Sequence, residues 1–212
     1  MTTVLVTGFA PFDGQEVNAS WEAVQRLEES WAGPERLAVR RLPVSFRRAR
    51  QELRVAVAEV DPVLVVCVGE AGGRSAVGLE RVALNLIDAR IPDADGSAPV
   101  DVPVIAGAPA AFFTSLPVKA CLVAVERSGV PVEVSHSAGT YVCNATAYAL
   151  AHLLTGRPVT RGGFVHVPRL PEQVAGGEAT LDVASSARAL AAVVRTALDV
   201  MTDVSSSAGA LS

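Results

Sequence analysis

With 212 residues, half of them hydrophobic, and a formal net charge of −4, the chain has material for a substantial core and no positive excess that would make nucleic acid or an anionic membrane surface its main partner. Three cysteines without CxxC spacing and three dispersed histidines indicate neither a disulfide framework nor a metal site. No apolar run approaches the ~20 residues needed to cross a bilayer, and MTTVLVTGFAPF has no signal-peptide pattern. A soluble cytoplasmic protein is expected, with one domain over residues 1–204 because no linker or charge block divides the chain.

Thr3 to Phe9 reads as a short buried strand, followed by a loop that Gly8, Pro11 and Gly14 punctuate. A helix follows, capped by Asn18 or Ser20, and Arg36 to Val44 is a second β-rich run. Phe46, Ala49, Leu53, Val57 and Val60 recur at steps of three and four, which predicts an amphipathic helix over Phe46 to Val60. Asp61-Pro62 stops it, and Val63 to Val68 has the β-branched continuity of a strand covered on both faces. The segment Glu70 to Pro109, rich in Gly, Pro and Asp with short apolar runs such as Val82 to Ile87, reads as a long excursion with little regular helix.

Helix signals resume over Leu116 to Ser128 and end at Gly129. Val130 to Ser135 is a strand, a helix runs from near Cys143 to Leu154, and Gly163 to Val167 is another strand before Pro168 and Pro171. Leu190, Val194, Leu198 and Met201 mark a last helix, and the Ser/Ala/Gly tail over 205–212 is expected to be disordered. This alternation predicts a three-layer α/β/α sandwich with a mostly parallel twisted sheet. Ligands of such sheets gather at the carboxyl ends of strands. The ends of the strand before Cys143, of Val63 to Val68 and of Gly163 to Val167 are therefore the places to look for a site.

The stretch SHSAGTYVCNATAYALAHLL, Ser135 to Leu154, puts one thiol at a helix start. Unpaired N–H groups and the positive end of the macrodipole there favour a thiolate, which makes Cys143 a candidate nucleophile. A free cysteine is more often simply buried, so the assignment needs partners. Histidine both assists attack and protonates a leaving amine near neutral pH. His152 lies within a predicted helix and His136 beside a strand, where packing or surface roles suit them; His166, in GFVHVP near a strand end, could turn toward Cys143 or be a structural histidine. Asp88, Glu70 and Glu80 are the carboxylates that could orient an imidazole, and spacing does not choose among them.

VLVTGFAPFDG lacks the GxGxxG pattern of a dinucleotide-binding turn, and Phe9 and Phe12 stand where small residues would be needed. Those two rings suggest an apolar pocket wall, the alternative being that they fill the core.

Taken together, TGFAPFDG, VNASWEAV, VGEAGGRSAVGLERVALN, IDARIPD, LPVK, SAGTYVCN, GGFVHVP and PEQ resemble the pyrrolidone-carboxylate peptidase family, also called pyroglutamyl peptidase type I, collinearly from about Val4 through Gln173. The resemblance implies an α/β/α cysteine exopeptidase that removes N-terminal pyroglutamate from peptides through a thioester, needs no metal or organic cofactor, and is commonly a homotetramer. By the same resemblance Cys143 is the nucleophile, His166 the catalytic histidine and Glu80 the carboxylate behind it. Arg90 matches an arginine near the thiol, either supporting the oxyanion or forming a structural salt bridge. Phe9 and Phe12 match aromatics flanking the lactam ring, and Asn18 matches a residue supporting their loop. Glu70, which stands where relatives vary, is expected to meet the substrate through its backbone. Asp13 replaces a frequent glycine of the pocket loop.

Overall fold

The computed structural model describes residues 2–209. Eight strands and five helices alternate along it: β1 (Thr3–Phe9), α1 (Ala19–Ser30), β2 (Arg36–Leu42), α2 (Arg48–Val60), β3 (Leu64–Ala71), β4 (Val77–Glu80), β5 (Val82–Leu84), β6 (Ala111–Phe113), α3 (Val118–Arg127), β7 (Val132–Ser135), α4 (Val142–Leu154), β8 (Arg161–Pro168) and α5 (Val183–Asp199). Six strands form one sheet in the order β2-β1-β3-β8-β4-β7, and β5 pairs with β6 in a separate antiparallel ribbon.

Period-two alternation divides the core. Val4, Val6, Leu64, Val66, Val165 and Val167 pack on one face with α1, α3 and α5. Leu5, Val65, Cys67 and Phe164 pack on the other with α2 and α4, as expected of strands covered on both sides. The three-layer architecture of the sequence reading therefore stands. On α5, Leu190, Val193, Val194 and Ala197 are fully buried. Each such Leu or Val side chain contributes about 1.5–3 kcal/mol through burial, so apolar packing rather than intrinsic propensity holds these helices in place.

Local chemistry sets the ends of the elements. Asn18 Oδ1 accepts from the Ser20 N–H at the start of α1, and Asp61, at φ +44° ahead of Pro62, closes α2. No helix among the described residues is long and apolar enough to cross a membrane.

Three sequence expectations change. The excursion over 70–109 carries no helix, as expected, but it adds a strand to the sheet: β4 inserts between β8 and β7, antiparallel to β8 and parallel to β7. The strand before Cys143 thus runs opposite to β3 and β8, and its last residue, Ser135, comes level with Glu80 and Phe164 rather than with the carboxyl ends of those strands. The last helix stops at Asp199, leaving Met201 75% exposed. There the Arg161 guanidinium takes the carbonyls of Ala197 and Val200, and the Asp203 carboxylate accepts from the Lys119 and Ala120 N–H groups at the start of α3 (3.1 and 2.9 Å), pulling the chain away from the helix axis. Ser205–Gly209 carry no helix or strand, and the tail expectation for 210–212 lies outside the described residues.

Candidate active site

Two adjacent rows cross the sheet at its centre. Gly69 of β3, His166 of β8 and Gly78 of β4 are in register, and next to them lie Cys67, Phe164, Glu80 and, on β7, Ser135. Since Phe164 belongs to the α2/α4 side while Val165, Val167 and Leu79 belong to the other, His166 and Glu80 also face α4. His166 Nδ1 is 2.7 Å from Glu80 Oε1, with the two residues only 4% and 3% exposed.

The neighbours of His166 on both flanking strands are glycines, and each supplies space that another group uses. A Cβ on Gly69 would stand 2.9 Å from Cys143 Sγ and 2.8 Å from the Phe164 ring, so the thiol sits directly over β3 in the row of His166. A Cβ on Gly78 would collide with the guanidinium of Arg74, whose Nη1 donates to Glu80 Oε1 at 3.0 Å. Glu80 Oε2 is buried without a hydrogen-bond partner among the described residues. Burial alone pushes the Glu80 carboxyl up, but the hydrogen bond and charge of His166, the Ser135 hydroxyl and Arg74 outweigh it and hold the group below its ordinary value.

Cys143 is the second residue of α4, behind the N-cap Tyr141, and Gly139 at φ +79° turns the chain into the helix. Tyr141 makes no side-chain capping bond, and the N–H groups of Val142, Cys143 and Asn144 reach no acceptor among the described residues, as a helix start leaves them. Asn144, fully buried, ties this turn to the excursion. Its Oδ1 accepts from the Leu84 N–H and its Nδ2 donates to the carbonyls of Leu84 and Leu86, all at 2.9 Å.

The thiol opens into a cavity of about 180 Å³ whose wall includes Phe9, Phe12, Tyr141, Val44 and Ile91, with Asp13, Gln15, Asn18, Glu70 and Arg169 as its polar members. Tyr141 packs edge-on against Phe46, with centroids 5.1 Å apart, leans against Phe12 and donates its hydroxyl to the Pro92 carbonyl at 3.0 Å. Phe9 is both wall and core, only 2% exposed and tilted against Phe164. The pocket loop is fastened from behind: Asn18 Nδ2 donates to the Ala10 carbonyl (3.3 Å), and the Ser20 hydroxyl accepts from the Phe9 N–H and donates to Asn18 Oδ1.

The family model described as pyroglutamyl peptidase matches residues 2–203. The pyrrolidone-carboxylate peptidase of Clavibacter michiganensis subsp. michiganensis is 50% identical over 212 residues, covering all of both chains. That of Escherichia fergusonii is 44% identical over 99% of each. Among solved structures, pyroglutamyl peptidase I from Bacillus amyloliquefaciens superimposes with TM-score 0.94 at 39% identity, over 97% of this chain and 99% of that one. Pyrrolidone carboxyl peptidase from Thermococcus litoralis gives 0.89 at 36% identity, over 94% of each.

The chain belongs to the pyroglutamyl peptidase family.

Within this family member, the side chains singled out from sequence divide into those brought together and those left apart. Cys143 lines the cavity, and His166 and Glu80 lie behind it. Of the three candidate carboxylates only Glu80 bonds the imidazole. Asp88 is exposed, and Glu70 is committed elsewhere, its Oε2 accepting from the Ala19 N–H at 2.7 Å and Gln173 Nε2 at 2.8 Å and its Oε1 from Arg169 Nε at 3.2 Å. Its carboxylate thus clamps the start of α1 to the ends of β3 and β8. His136 and His152 are exposed. Asp13, at φ +54°, holds the left-handed conformation for which glycine is the usual solution and which Asp tolerates better than most side chains.

Two expectations fail. Arg90 forms no ion pair or hydrogen bond among the described residues and lines no part of the cavity. It is exposed between buried Ala89 and cavity-facing Ile91, where a guanidinium keeps its hydration. The helix start also does not lower the Cys143 thiol. Burial first, then the charges of Glu80 and Glu70, push it up to about 12 against the weaker opposing pull of Arg74, so the resting group is a neutral thiol. Although the side chain opens to the cavity, protein packs densely around the sulfur, and this burial disfavours the charged form.

The sequence reading missed Arg74, Tyr141, Asn144 and Arg169. Each lies within or beside a motif quoted above, but the contact that gives it a role spans a long stretch of chain or a turn, and no local pattern carries that information. Among the described residues no group of three or more His, Cys, Asp or Glu side chains is placed to hold a metal ion.

Proposed function

We propose that residues 1–204 form one catalytic domain that hydrolyses the bond after an N-terminal pyroglutamyl residue through a thioester on Cys143. The observation that carries this reading is a thiol at the foot of an aromatic-walled cavity, over the strand row that holds a histidine bonded to a buried carboxylate.

With its Nδ1–H donating to Glu80, the His166 imidazole keeps Nε2 as its basic nitrogen. Because the resting thiol is neutral, attack begins with transfer of the Cys143 proton to His166 as sulfur bonds the scissile carbonyl carbon. The oxygen of the tetrahedral intermediate is held by the free N–H groups at the start of α4. Collapse breaks the C–N bond while His166 returns the proton to the departing amine. Water deprotonated by His166 then attacks the thioester carbon, and free pyroglutamate leaves as the thiol is restored. Glu80 keeps the imidazole in its tautomer and stabilises the imidazolium formed in both halves.

Substrate choice follows from the cavity. Phe9, Phe12 and Tyr141 offer apolar faces to a neutral lactam, whereas a charged α-amine would lose its hydration there. Asn18 and Glu70 fasten the loop and strand end that shape the slot, with the Glu70 carboxylate turned to its protein partners. The same reading carries a homotetrameric assembly and a cytoplasmic location. Phe113 and Val159, 75% and 85% exposed, are the kind of surface that assembly buries, and analytical ultracentrifugation tests the mass.

The deciding assay is hydrolysis of pyroglutamyl, prolyl and glutamyl arylamides by the purified protein, with Cys143→Ala and Cys143→Ser in parallel. Selective release from the pyroglutamyl substrate, lost in both variants, is expected. Equal release from all three, or activity surviving in Cys143→Ala, overturns the reading.

A further inference from the structure

Arg74 stands in the loop between β3 and β4, outside the cavity, yet three observations tie it to the buried acid. Its Nη1 donates to Glu80 Oε1 at 3.0 Å, the oxygen that His166 also uses. Its Nη2 is held in place by the Ser135 hydroxyl at 3.4 Å and the Ser137 carbonyl at 3.3 Å, on the segment that leads into α4. Finally, its berth exists only because position 78 has no side chain. A partly exposed guanidinium (27%) thus closes over a nearly inaccessible carboxylate (2%).

We propose that Arg74 is a positioning residue that holds Glu80 ionised and fixed in orientation for His166, and through it sets the charge balance at Cys143. This rests on the function proposed above, but its electrostatic half does not depend on which substrate is cleaved. The groups facing this centre are His166 from β8, Cys143 from α4, Cys67 and Glu70 from β3 and, on the outer side of Arg74 at 4.0 Å, Glu133 from β7. A second cation, Arg169 after β8, is taken up by Glu70 at 3.2 Å, so Arg74 is the permanent cation bonded to Glu80 itself. Its charge favours the ionised forms of Glu80 and Cys143, so its removal favours protonation of both. Glu80 then binds its proton more readily, the imidazole loses a repelling charge, and the thiol loses the attraction that opposes its burial.

Arg74→Met and Arg74→Lys test this, with Gly78→Ala as an independent way to push the guanidinium out of its berth. In Arg74→Met the acid limb of kcat/KM is expected to move up by about half a pH unit or more, kcat to fall about ten-fold and KM to change little. Lysine, which keeps the charge but not the fork, should restore the limb but only part of kcat. Gly78→Ala should move the limb in the same direction as Arg74→Met. A second readout needs no substrate: iodoacetamide labelling of Cys143, followed by peptide mass against pH, should slow several-fold in Arg74→Met at fixed pH. Arg74→Met with the wild-type acid limb and wild-type labelling overturns the proposal, as does a limb in Arg74→Lys displaced as far as in Arg74→Met. If no pyroglutamyl substrate is cleaved at all, the functional reading fails on its own, and slowed labelling in Arg74→Met still supports the electrostatic role while unchanged labelling overturns it.

Discussion

His166 Nδ1 and Glu80 Oε1 meet at 2.7 Å across strands that run in opposite directions, β8 with the parallel part of the sheet and β4 against it. Because the pair is buried and comes from rigid strands rather than loops, its geometry is set by the sheet itself. Replacing Glu80 with Gln preserves volume but no longer selects the Nδ1–H tautomer or balances an imidazolium. The expected loss is about 10²- to 10⁴-fold in kcat with KM within a few-fold, read from steady-state hydrolysis of a pyroglutamyl arylamide. A loss of less than three-fold would remove Glu80 from the mechanism.

The same carboxylate gives a pH signature in stability. Its folded value lies below its ordinary value of 4.5, so the stability it contributes is fully present above about pH 4.5 and is lost as pH falls through the lower folded value. Denaturant melts of wild type and Glu80→Gln from pH 7 to pH 3 should therefore show a gap that is constant near neutrality and narrows in acid. A gap that widens in acid has the wrong sign for this account.

All three thiols are pushed up to about 12, chiefly by burial, so access rather than acidity separates them. Cys143 opens to the cavity, while Cys67 and Cys121 are buried. Iodoacetamide is expected to label Cys143 first, with a rate that keeps rising toward alkaline pH instead of levelling off near neutrality. Faster labelling of Cys67, or a plateau below pH 7, would contradict the neutral resting thiol.

At Gly69 a methyl group meets both Cys143 Sγ and the Phe164 ring, and the thiol is held there by the first turn of α4. Gly69→Ala is expected to cost about 1–3 kcal/mol from overpacking and to lower kcat more than ten-fold by displacing the sulfur. Thermal melts and kinetics together check this; wild-type activity in a fully folded variant would show that the thiol does not need its place over β3.

The Glu70 carboxylate is a clamp with three protein partners. Glu70→Ala leaves the Ala19 N–H, Gln173 and Arg169 without their acceptor, a cost of about 1–3 kcal/mol, and loosens α1 behind the pocket loop. The expected kinetic effect is a KM raised about five- to twenty-fold with kcat changed less. A fall in kcat at constant KM would place Glu70 in the chemistry.

Hydrophobic periodicity and turn residues were enough to read the three-layer fold, most element positions and a thiol at a helix start, because each of these depends on a dozen or so neighbouring residues. The motifs of the family resemblance named Cys143, His166 and Glu80. What local pattern could not carry was β4: four residues amid Gly, Pro and Asp have no period to detect, and they become a strand only because β8 and β7 offer open edges on both sides. That insertion delivers Glu80 to His166, brings Gly78 opposite the imidazole and makes the berth for Arg74. The charge state of Cys143 likewise belonged to tertiary structure. A helix start favours a thiolate in isolation, but dense packing and the nearby carboxylates of Glu80 and Glu70 reverse the balance, since desolvation and long-range charge depend on everything that folds around the sulfur.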